Sequence, residues 1–528
     1  MNPKYILAVA AIAGLSLSAC SDDYLETSPE SETATGTILG STDNAALSIN
    51  GICRLMTHQY ISSQGFNGEG TIKTWFGNYP GNDFQKCNLT GWAAIINSTY
   101  HLQTSSSYDY FPWYYYYQII GNANALIANI DAAEGTEGER QYIKAQALTF
   151  RAYSYSQLVQ LYCYRWSDSN GGASTGVPLR LDESTGDLAA STLAEVYAQI
   201  YADLDEAINL FGKCGIQRSS SEFWLPSAEV AYAIKARAAL VRQDWQTAAT
   251  CAKAARSGRS IMGADAYKAG FNAANDEWIW GVYEASDQTL YYYSFYAYQG
   301  SNSSASICRS YPCAISKELI DQIPATDVRR SLYAIPTEEE FAELASSGRS
   351  TKTLYKRMFS EHPFAGDPTT DYLYSSSYVF AYMQFKHRAS FLPGGGCFPL
   401  FRAAEMYYVE AEADCHLGKE ADAIALVEEA NKPYDADLQI LSTADALTTV
   451  KLYRRFDLWG EGFDWFDYKR WGEPIVRHAL DVKAGLASQG SFHSTFAVTI
   501  NPSDANQWTW MVPKRESDYN HAYDLHEE

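Results

Sequence analysis

Two segments of the chain, 175 residues apart, share one internal layout. SAEVAYAIKARAALVRQDWQTAATCAKAAR covers residues 227–256, and RAAEMYYVEAEADCHLGKEADAIALVEEAN covers residues 402–431. Each reads as a helix, a short polar turn and a second helix. When the two are superposed, small and aromatic residues coincide in four pairs: Tyr232 with Tyr407, Ala236 with Ala411, Ala238 with Ala413, and Ala248 with Ala423. Alanines let antiparallel helices approach closely, and such hairpins must stack to bury their faces, so the pattern predicts a scaffold of stacked helical hairpins.

Helical periodicity also extends over three other segments. Apolar residues recur at steps of three and four through residues 139–166, which predicts a long helix buried on several sides. Residues 191–211 form a predicted helix with Ser191 or Thr192 as its N-cap and Glu195 in its first turn. FPWYYYYQII (111–120) leads directly into a helical pattern, so Trp113 and most of these tyrosines are predicted to lie in the core.

Residues 60–110 and 257–395 differ from the helical segments in composition. They are rich in Gly, Ser, Asn, Pro and aromatic residues and show little helical periodicity, and EWIWGVYEA (277–285) reads as a short strand. We therefore predict an all-α fold: a tetratricopeptide-like helical repeat scaffold (about 115–256 and 400–472) carrying a loop-rich, partly β insertion subdomain. Since binding surfaces usually lie on such loops, this subdomain is the predicted ligand face.

The first residues read as a targeting signal. MNPKYILAVAAIAGLSLSAC has a basic start at Lys4, an apolar run too short to span a bilayer, and small residues before Cys20. The ending LSAC resembles a bacterial lipobox, which predicts a signal peptide over 1–19, lipidation of Cys20, and a flexible tether over 20–40 before a single domain at 41–528. The alternative is ordinary secretion with an incidental Cys20.

Composition and local motifs exclude several function classes. A net charge of −22 disfavours binding to nucleic acid. A catalytic role is one interpretation of Glu461, Asp467 and Arg470. However, apolar residues recur through this segment at steps of four and three: Leu452, Phe456, Trp459, Phe463 and Phe466. This spacing predicts one core-facing helix in which Asp467 pairs with Arg470. Residues 172–176 match Gly-x-Ser-x-Gly but lack the flanking strand and helix of a nucleophile elbow.

The cysteines indicate neither a disulfide framework nor a metal site. Besides Cys20 there are nine, scattered through predicted helices, and no His/Cys arrangement has zinc spacing, so we expect no metal and no cofactor. Cys308 and Cys313 are close enough in sequence for a loop disulfide, which stays an open alternative.

Several passages resemble one family, the SusD-like (RagB/SusD) outer-membrane nutrient-binding lipoproteins. The similar passages are KAQALTFRAYSYSQLVQLYCYRW with the later turn at 176–179, LFRAAEMYYVEAEADCHLGKEADAI, Glu461-Gly462 with Asp467 and Arg470, the pattern of Asp327, Arg329 and Arg330, and a tail with Pro513, Glu516 and Asn520. They span most of the mature chain in the expected order. Asp464 is a departure, because the family commonly has Arg at that position.

The resemblance implies a function and a partner. It implies four tetratricopeptide-like repeats, a loop-rich face that binds an extracellular glycan, and a SusC-like TonB-dependent transporter barrel on which the lipoprotein sits as a lid. The implied location is the outer membrane, facing the cell surface, with contact to the membrane through the lipid anchor only.

Candidate ligand contacts come from aromatic and polar residues of the loop-rich segments. Sugar rings stack their C–H faces on aromatic planes, while amides and carboxylates bind hydroxyls. That mixture occurs among Trp75, Asn78, Tyr79, Asp83, Trp92 and Tyr100. A second set lies in LYYYSFYAYQG (290–300): Tyr292, Tyr296 and Tyr298. Strand alternation there predicts Tyr291, Tyr293 and Phe295 on one side, with Tyr292 and Tyr296 facing outward.

The sequence therefore predicts a non-enzymatic protein that captures an oligosaccharide and delivers it to a transporter. A surface glycoside hydrolase of the all-α toroid type is the alternative from another class, and it requires two carboxylates roughly 5–10 Å apart in a cleft. Capture of peptides instead of glycans is a third alternative.

Overall fold

The computed structural model describes residues 39–60, 65–88, 90–286, 293–340, 342, 372–374, 376–440, 445–481, 483–502 and 508–523. The lipidation candidate Cys20 and the ligand candidate Tyr292 lie outside the described residues. The α-helices, in chain order, are α1 (Thr42–Leu55), α2 (Gly68–Thr71), α3 (Ala93–Ile96), α4 (Ser107–Asn129), α5 (Glu137–Tyr162), α6 (Leu193–Lys213), α7 (Ala228–Val241), α8 (Trp245–Arg256), α9 (Ala264–Lys268), α10 (Phe295–Gln299), α11 (Ser306–Arg309), α12 (Lys317–Ile320), α13 (Ala403–His416), α14 (Glu420–Asn431), α15 (Ala446–Asp457), α16 (Asp464–Trp471) and α17 (Lys514–Tyr519).

The remaining regular elements are short. A π-helix spans Ile72–Asn78, and 3₁₀ turns span Tyr100–Leu102, Ile130–Ala132, Trp166–Asp168, Val328–Leu332, Gly485–Ala487 and Ser494–Phe496. The strands are β1 (Phe84–Lys86), β2 (Trp278–Val282), β3 (Cys313–Ile315), β4 (Phe398–Arg402), β5 (Ile475–Val476) and β6 (Thr499–Ile500). They form three antiparallel pairs, β1 with β3, β2 with β4, and β5 with β6. The all-α prediction is confirmed.

The helices pack as a continuous array in which successive elements are neighbours. α5 lies against α4 and α6, α7 against α8, α8 against α13, and α13 against α14 and α15. Both predicted hairpins are confirmed, as α7–α8 and α13–α14, and the matched alanines are buried where the helices meet: Ala236, Ala238, Ala248, Ala411, Ala413 and Ala423. The predicted strand at 277–285 is confirmed as β2, and it joins this array to the loop-rich region through β4.

Capping chemistry sets the starts of the two long helices. At α5, Thr136 Oγ1 accepts from the Glu139 amide while the Glu139 carboxylate accepts from the Thr136 amide. At α6, Thr192 and Glu195 form the same reciprocal pair, so Thr192 is the N-cap. Each such box satisfies two amides that a helix start otherwise leaves unpaired. Among the described helices, none has the length and apolar character needed to cross a bilayer.

Two local predictions are wrong. The segment 452–466 is not one helix, because α15 ends at Asp457 and α16 begins at Asp464; the chain turns at Gly460 and Gly462, whose φ angles of +77° and +90° suit glycine. The described part of LYYYSFYAYQG is helix α10 and not a strand. Period-2 alternation therefore does not apply there, and Phe295 and Tyr296 are both buried.

Candidate functional site

Aromatic rings from distant segments converge at one place in the loop-rich region. Trp92, Tyr100, Tyr108 and Tyr293 are half-buried, so each ring is partly open to solvent. We call these four residues the aromatic face. Tyr100 and Tyr108 stack with ring centroids 4.6 Å apart and planes 14° apart, and Trp92 lies 6.2 Å from Tyr108.

Two fully buried rings support the aromatic face from below. The indole of Trp75, on the π-helix, lies 4.9 Å from Trp92 and 5.1 Å from Tyr108. Tyr298, on α10, lies 5.3 Å from Trp75 and 5.7 Å from Tyr293. Trp75 and Tyr298 have no exposed surface, so in this structure they position the aromatic face and do not form it. This corrects their prediction as direct ligand contacts.

A glycine closes the packing on the two supporting rings. Gly65 has a φ of +96°, and a Cβ added there would lie 2.2 Å from Trp75 Cη2 and 2.5 Å from the Tyr298 hydroxyl. Only glycine satisfies both the left-handed backbone and this close approach. The position of Gly65 therefore fixes how the supporting rings pack.

The polar candidates of the first loop segment point inward. Asn78 Nδ2 donates to the Gly460 carbonyl at 2.9 Å, and its Oδ1 accepts from the Gly462 amide at 2.8 Å. Asp83 forms an ion pair with Arg455, with Nε to Oδ2 at 2.7 Å. Tyr79 is buried and stacks on Phe84. These contacts hold the loops against α15 and the α15–α16 connection. Asn78, Tyr79 and Asp83 are thus buried in this structure, which corrects their prediction as direct ligand contacts.

Tyr296 is also buried, so the prediction that it faces outward is wrong. Its hydroxyl donates to the Cys397 carbonyl at 3.0 Å and also contacts the Phe271 carbonyl. Phe295, Tyr296 and Tyr298 all lie on α10 and are all buried, whereas a strand would have placed Phe295 on the face opposite Tyr296 and Tyr298.

Sequence reasoning missed Tyr108 and Tyr293. Tyr108 precedes the aromatic run 111–120 and receives no assignment from the sequence, and strand alternation places Tyr293 with Tyr291 and Phe295, opposite the side predicted to face outward. A usable signal existed for Tyr108, because Ser106 is an N-cap residue and caps the helix through the Tyr108 amide. Side chains of a first turn at a helix start in a loop-rich segment are good surface candidates. Burial, and then the neighbouring Tyr100, raises the pKa of Tyr108 to about 12, so its phenol stays protonated and able to donate.

Glu461 and Asp467 form ion pairs with basic side chains in the protein interior. Glu461 contacts Lys386 at 2.7 Å and Arg402 at 2.8 Å, and Asp467 contacts Arg454 at 2.7 Å. The predicted Asp467–Arg470 pair is confirmed at 2.9 Å. These groups form a structural network, and a hydrolase would need its carboxylates in an open cleft.

No metal-ligand cluster occurs in the described part of the chain: no group of three or more His, Cys, Asp or Glu residues is placed to hold an ion. The nine cysteines beyond Cys20 all fall within that part and are free, so Cys308 and Cys313 are not linked. Burial raises the pKa of the Cys308 thiol to about 12, so it stays protonated at neutral pH.

Comparison with known proteins gives matches along almost the whole chain. A family model described as starch-binding and associating with the outer membrane, SusD-like, matches residues 23–240, and one described as the SusD family (SusD_RagB) matches residues 250–524. No curated protein matches the sequence.

Solved structures match the fold over nearly the full length. A SusD-like carbohydrate binding protein from Bacteroides vulgatus is 24% identical with a TM-score of 0.73, over 93% of this chain and 98% of that one. A SusD superfamily protein from Bacteroides thetaiotaomicron is 20% identical with a TM-score of 0.71, over 92% of this chain and 100% of that one. One from Bacteroides fragilis is 17% identical with a TM-score of 0.67, over 92% and 100%. At these identities the likeness shows the fold alone.

Proposed function

The chain belongs to the SusD (RagB/SusD) family, and from that premise we propose that it captures an oligosaccharide on the aromatic face and delivers it to a SusC-like TonB-dependent transporter. The family binds glycans and is associated with the outer membrane. The observation that carries the proposal for this chain is the convergence of Trp92, Tyr100, Tyr108 and Tyr293 on the buried pair Trp75 and Tyr298.

The geometry suits binding without covalent chemistry. Pyranose rings present apolar C–H faces, which pack on indole and phenol planes, while phenol hydroxyls bind the hydroxyl edges. Because Trp75 and Tyr298 are locked by packing, the four half-buried rings are held in place before a ligand arrives. A preformed surface avoids part of the entropy cost of ordering loops on binding.

We further propose that lipidated Cys20 and the tether over 20–40 hold the domain at the outer membrane, facing the cell surface. A lipid anchor leaves the domain free to move as a lid relative to a barrel, which suits transfer of a bound glycan into the transporter. Its test is metabolic labelling with a fatty acid, in which Cys20→Ala is expected to lose the label and the membrane fraction.

Affinity electrophoresis through gels containing candidate polysaccharides tests the binding site. Trp92→Ala and Tyr100→Ala are expected to weaken retention by roughly tenfold, since each removes a stacking plane. Trp245→Ala is the matched control, because Trp245 is another half-buried tryptophan, stacked on His416 in the helical array. Unchanged retention of both aromatic-face variants would refute the site.

The same purified protein separates the two other function classes. A hydrolase would release reducing sugar from the polysaccharide that it binds, whereas we expect no release. A peptide-capturing protein would bind a peptide library and show no retention by any polysaccharide, whereas we expect the reverse.

A further inference from the structure

A second open cleft lies away from the aromatic face, between α6, α7 and the start of β2. Its volume is about 530 Å³, and none of its lining residues belongs to the aromatic face. That volume falls within the range of small-molecule sites. We call it the arginine cleft, because Arg218 and Arg259 both line it.

In the described part of the chain, both arginines are held by backbone carbonyls and by no carboxylate. Arg218 donates from Nη1 to the Leu225 carbonyl at 2.8 Å and from Nη2 to the Ile279 carbonyl at 3.0 Å. Arg259 donates from Nη1 to the Trp278 carbonyl at 2.7 Å. Within the described residues neither guanidinium forms an ion pair, and Nε and Nη2 of Arg259 donate to no partner. The chain as a whole has a net charge of −22, so two arginines without ion-pair partners at one cleft are unusual for this protein.

The two carboxylates of the cleft do not neutralise the arginines by contact. Glu229 accepts a hydrogen bond from Ser227 Oγ at 2.6 Å, and Asp276 is exposed. Burial and, after it, the charge of Arg259 lower the pKa of Arg218, while Glu229 acts more weakly in the opposite sense. An anion placed between the two guanidiniums would relieve their repulsion.

Aromatic pairs form two walls of the cleft. Tyr142 and Phe211 meet edge to face at 5.7 Å, and Phe223 and Trp278 meet edge to face at 5.8 Å. Trp278 is buried, and its indole N–H has no hydrogen bond partner among the described residues. A buried donor without a partner is costly, so the indole N–H of Trp278 is an unused donor in the wall of the cleft.

We propose that the arginine cleft binds a carboxylate-bearing sugar of hexuronic acid size, with the carboxylate between Arg218 and Arg259 and the ring between the aromatic walls. Guanidinium groups match the planar geometry of a carboxylate, and apolar C–H faces suit the aromatic walls. The site extends the proposed function by a second saccharide site and does not depend on the aromatic face.

Ligand variants on the unaltered full chain test the proposal without a folding risk. Calorimetric titration compares glucuronic acid, its methyl ester and glucose. The ester keeps the shape of the sugar and removes the charge, so the acid is expected to bind at least tenfold more tightly than either. Absence of saturable binding by the acid up to about 20 mM, or equal binding of acid and ester, would overturn the proposal.

Protein variants then locate the site. Arg259→Gln removes the guanidinium charge while keeping a polar side chain at this half-buried position, and it is expected to weaken glucuronic acid binding by at least tenfold while the chain keeps a cooperative thermal transition. Lys432→Ala removes an exposed charge elsewhere and is expected to bind like the parent chain. Trp92→Ala is expected to weaken polysaccharide retention while keeping glucuronic acid binding, so the two proposals fail separately. Equal affinity of Arg259→Gln and the parent chain would refute the location.

Discussion

Replacing Glu461 by Gln tests whether the buried ion network stabilises the support of the aromatic face. Glu461 Oε1 accepts from Lys386 Nζ at 2.7 Å and from Arg402 Nη2 at 2.9 Å. Arg402 keeps Glu277 as a partner at 2.7 Å. In the described structure Lys386 has Glu461 as its only paired carboxylate, and its other hydrogen bonds go to the Asp457 and Trp459 carbonyls. Glu461→Gln therefore leaves the Lys386 amine in the core without a directly paired carboxylate.

The expected loss at pH 7 is about 3–5 kcal/mol, the usual result of removing one partner of a buried pair. For a chain of 528 residues, an unfolding entropy of about 2.1 cal/mol/K per residue amounts to ~1.1 kcal/mol/K. The thermal midpoint measured by circular dichroism is therefore expected to fall by roughly 3–5 °C.

The pH dependence of the loss identifies its cause. Burial lowers the pKa of Lys386 to about 8, and Glu461 is the main group opposing that shift. Without Glu461 the folded-state pKa falls further. When the pKa of a lysine is lower in the folded state than in the unfolded state, the group destabilises the fold below its unfolded-state pKa. This destabilisation grows as the pH falls and becomes constant once the pH is below the folded-state pKa. In the parent chain, Lys386 causes no further loss of stability once the pH falls below about 8. In the variant the loss continues at lower pH. The difference in free energy of unfolding between parent and variant is therefore expected to grow by about 1.4 kcal/mol per pH unit from pH 8 to pH 6.

Two controls accompany the titration. Adding Lys386→Met to Glu461→Gln removes the ammonium and is expected to abolish the pH slope. Glu473→Gln breaks the pair of Lys451 with a half-exposed carboxylate and is expected to change stability by less than about 1 kcal/mol. A deficit that is independent of pH would show that lost packing, and not the uncompensated lysine, destabilises the variant.

Two further predictions concern a buried acid and the packing under the aromatic face. Asp109 is buried, neither carboxyl oxygen has a hydrogen bond partner among the described residues, and burial raises its pKa to about 9. The folded state thus keeps a proton on Asp109 that the unfolded state loses near pH 4, so the free energy of unfolding falls as the pH rises from 4 to 9. Asp109→Asn is expected to have the same free energy of unfolding as the parent near pH 4 and a higher one at pH 9. Gly65→Ala would place a methyl group 2.2 Å from Trp75 Cη2 and is expected to weaken polysaccharide retention by at least tenfold, and normal retention would contradict the role of the supporting rings.

The helical scaffold was predictable because its signals are local. Helical periodicity, N-cap residues and the small residues of each hairpin are patterns among residues that are close in sequence. They therefore predict α5, α6 and both helical hairpins from the sequence. The break between α15 and α16 was missed because apolar spacing continues across Gly460 and Gly462, and only the backbone angles show that the chain turns there.

The candidate site was predictable as a region but not residue by residue. Trp75 and Trp92 lie in the same non-periodic segment and look equivalent in sequence, yet one is fully buried and the other half-buried. Trp75 is enclosed by Phe66, Tyr108 and Tyr298 with ring centroids 5.1–5.3 Å away, whereas Tyr108 and Tyr298 approach Trp92 only to 6.2 and 6.1 Å. Exposure of a loop aromatic is set by such distant contacts, which residue type and spacing do not encode.

The departure at position 464 shows how the loops carrying the site are tied to the scaffold. Asp464 Oδ2 accepts from the backbone amides of Asp83 at 2.6 Å and of Phe84 at 3.0 Å. Arginine, the residue that the family resemblance leads one to expect, has no acceptor and could not make these bonds. Burial and the nearby charge of Asp83 raise the pKa of Asp464, while the hydrogen bond from the Asp83 amide opposes that shift. Asp83 also forms an ion pair with Arg455. The start of β1 is therefore attached to α15 through Arg455 and to α16 through Asp464, and these contacts stabilise the packing of the loops that carry the aromatic face.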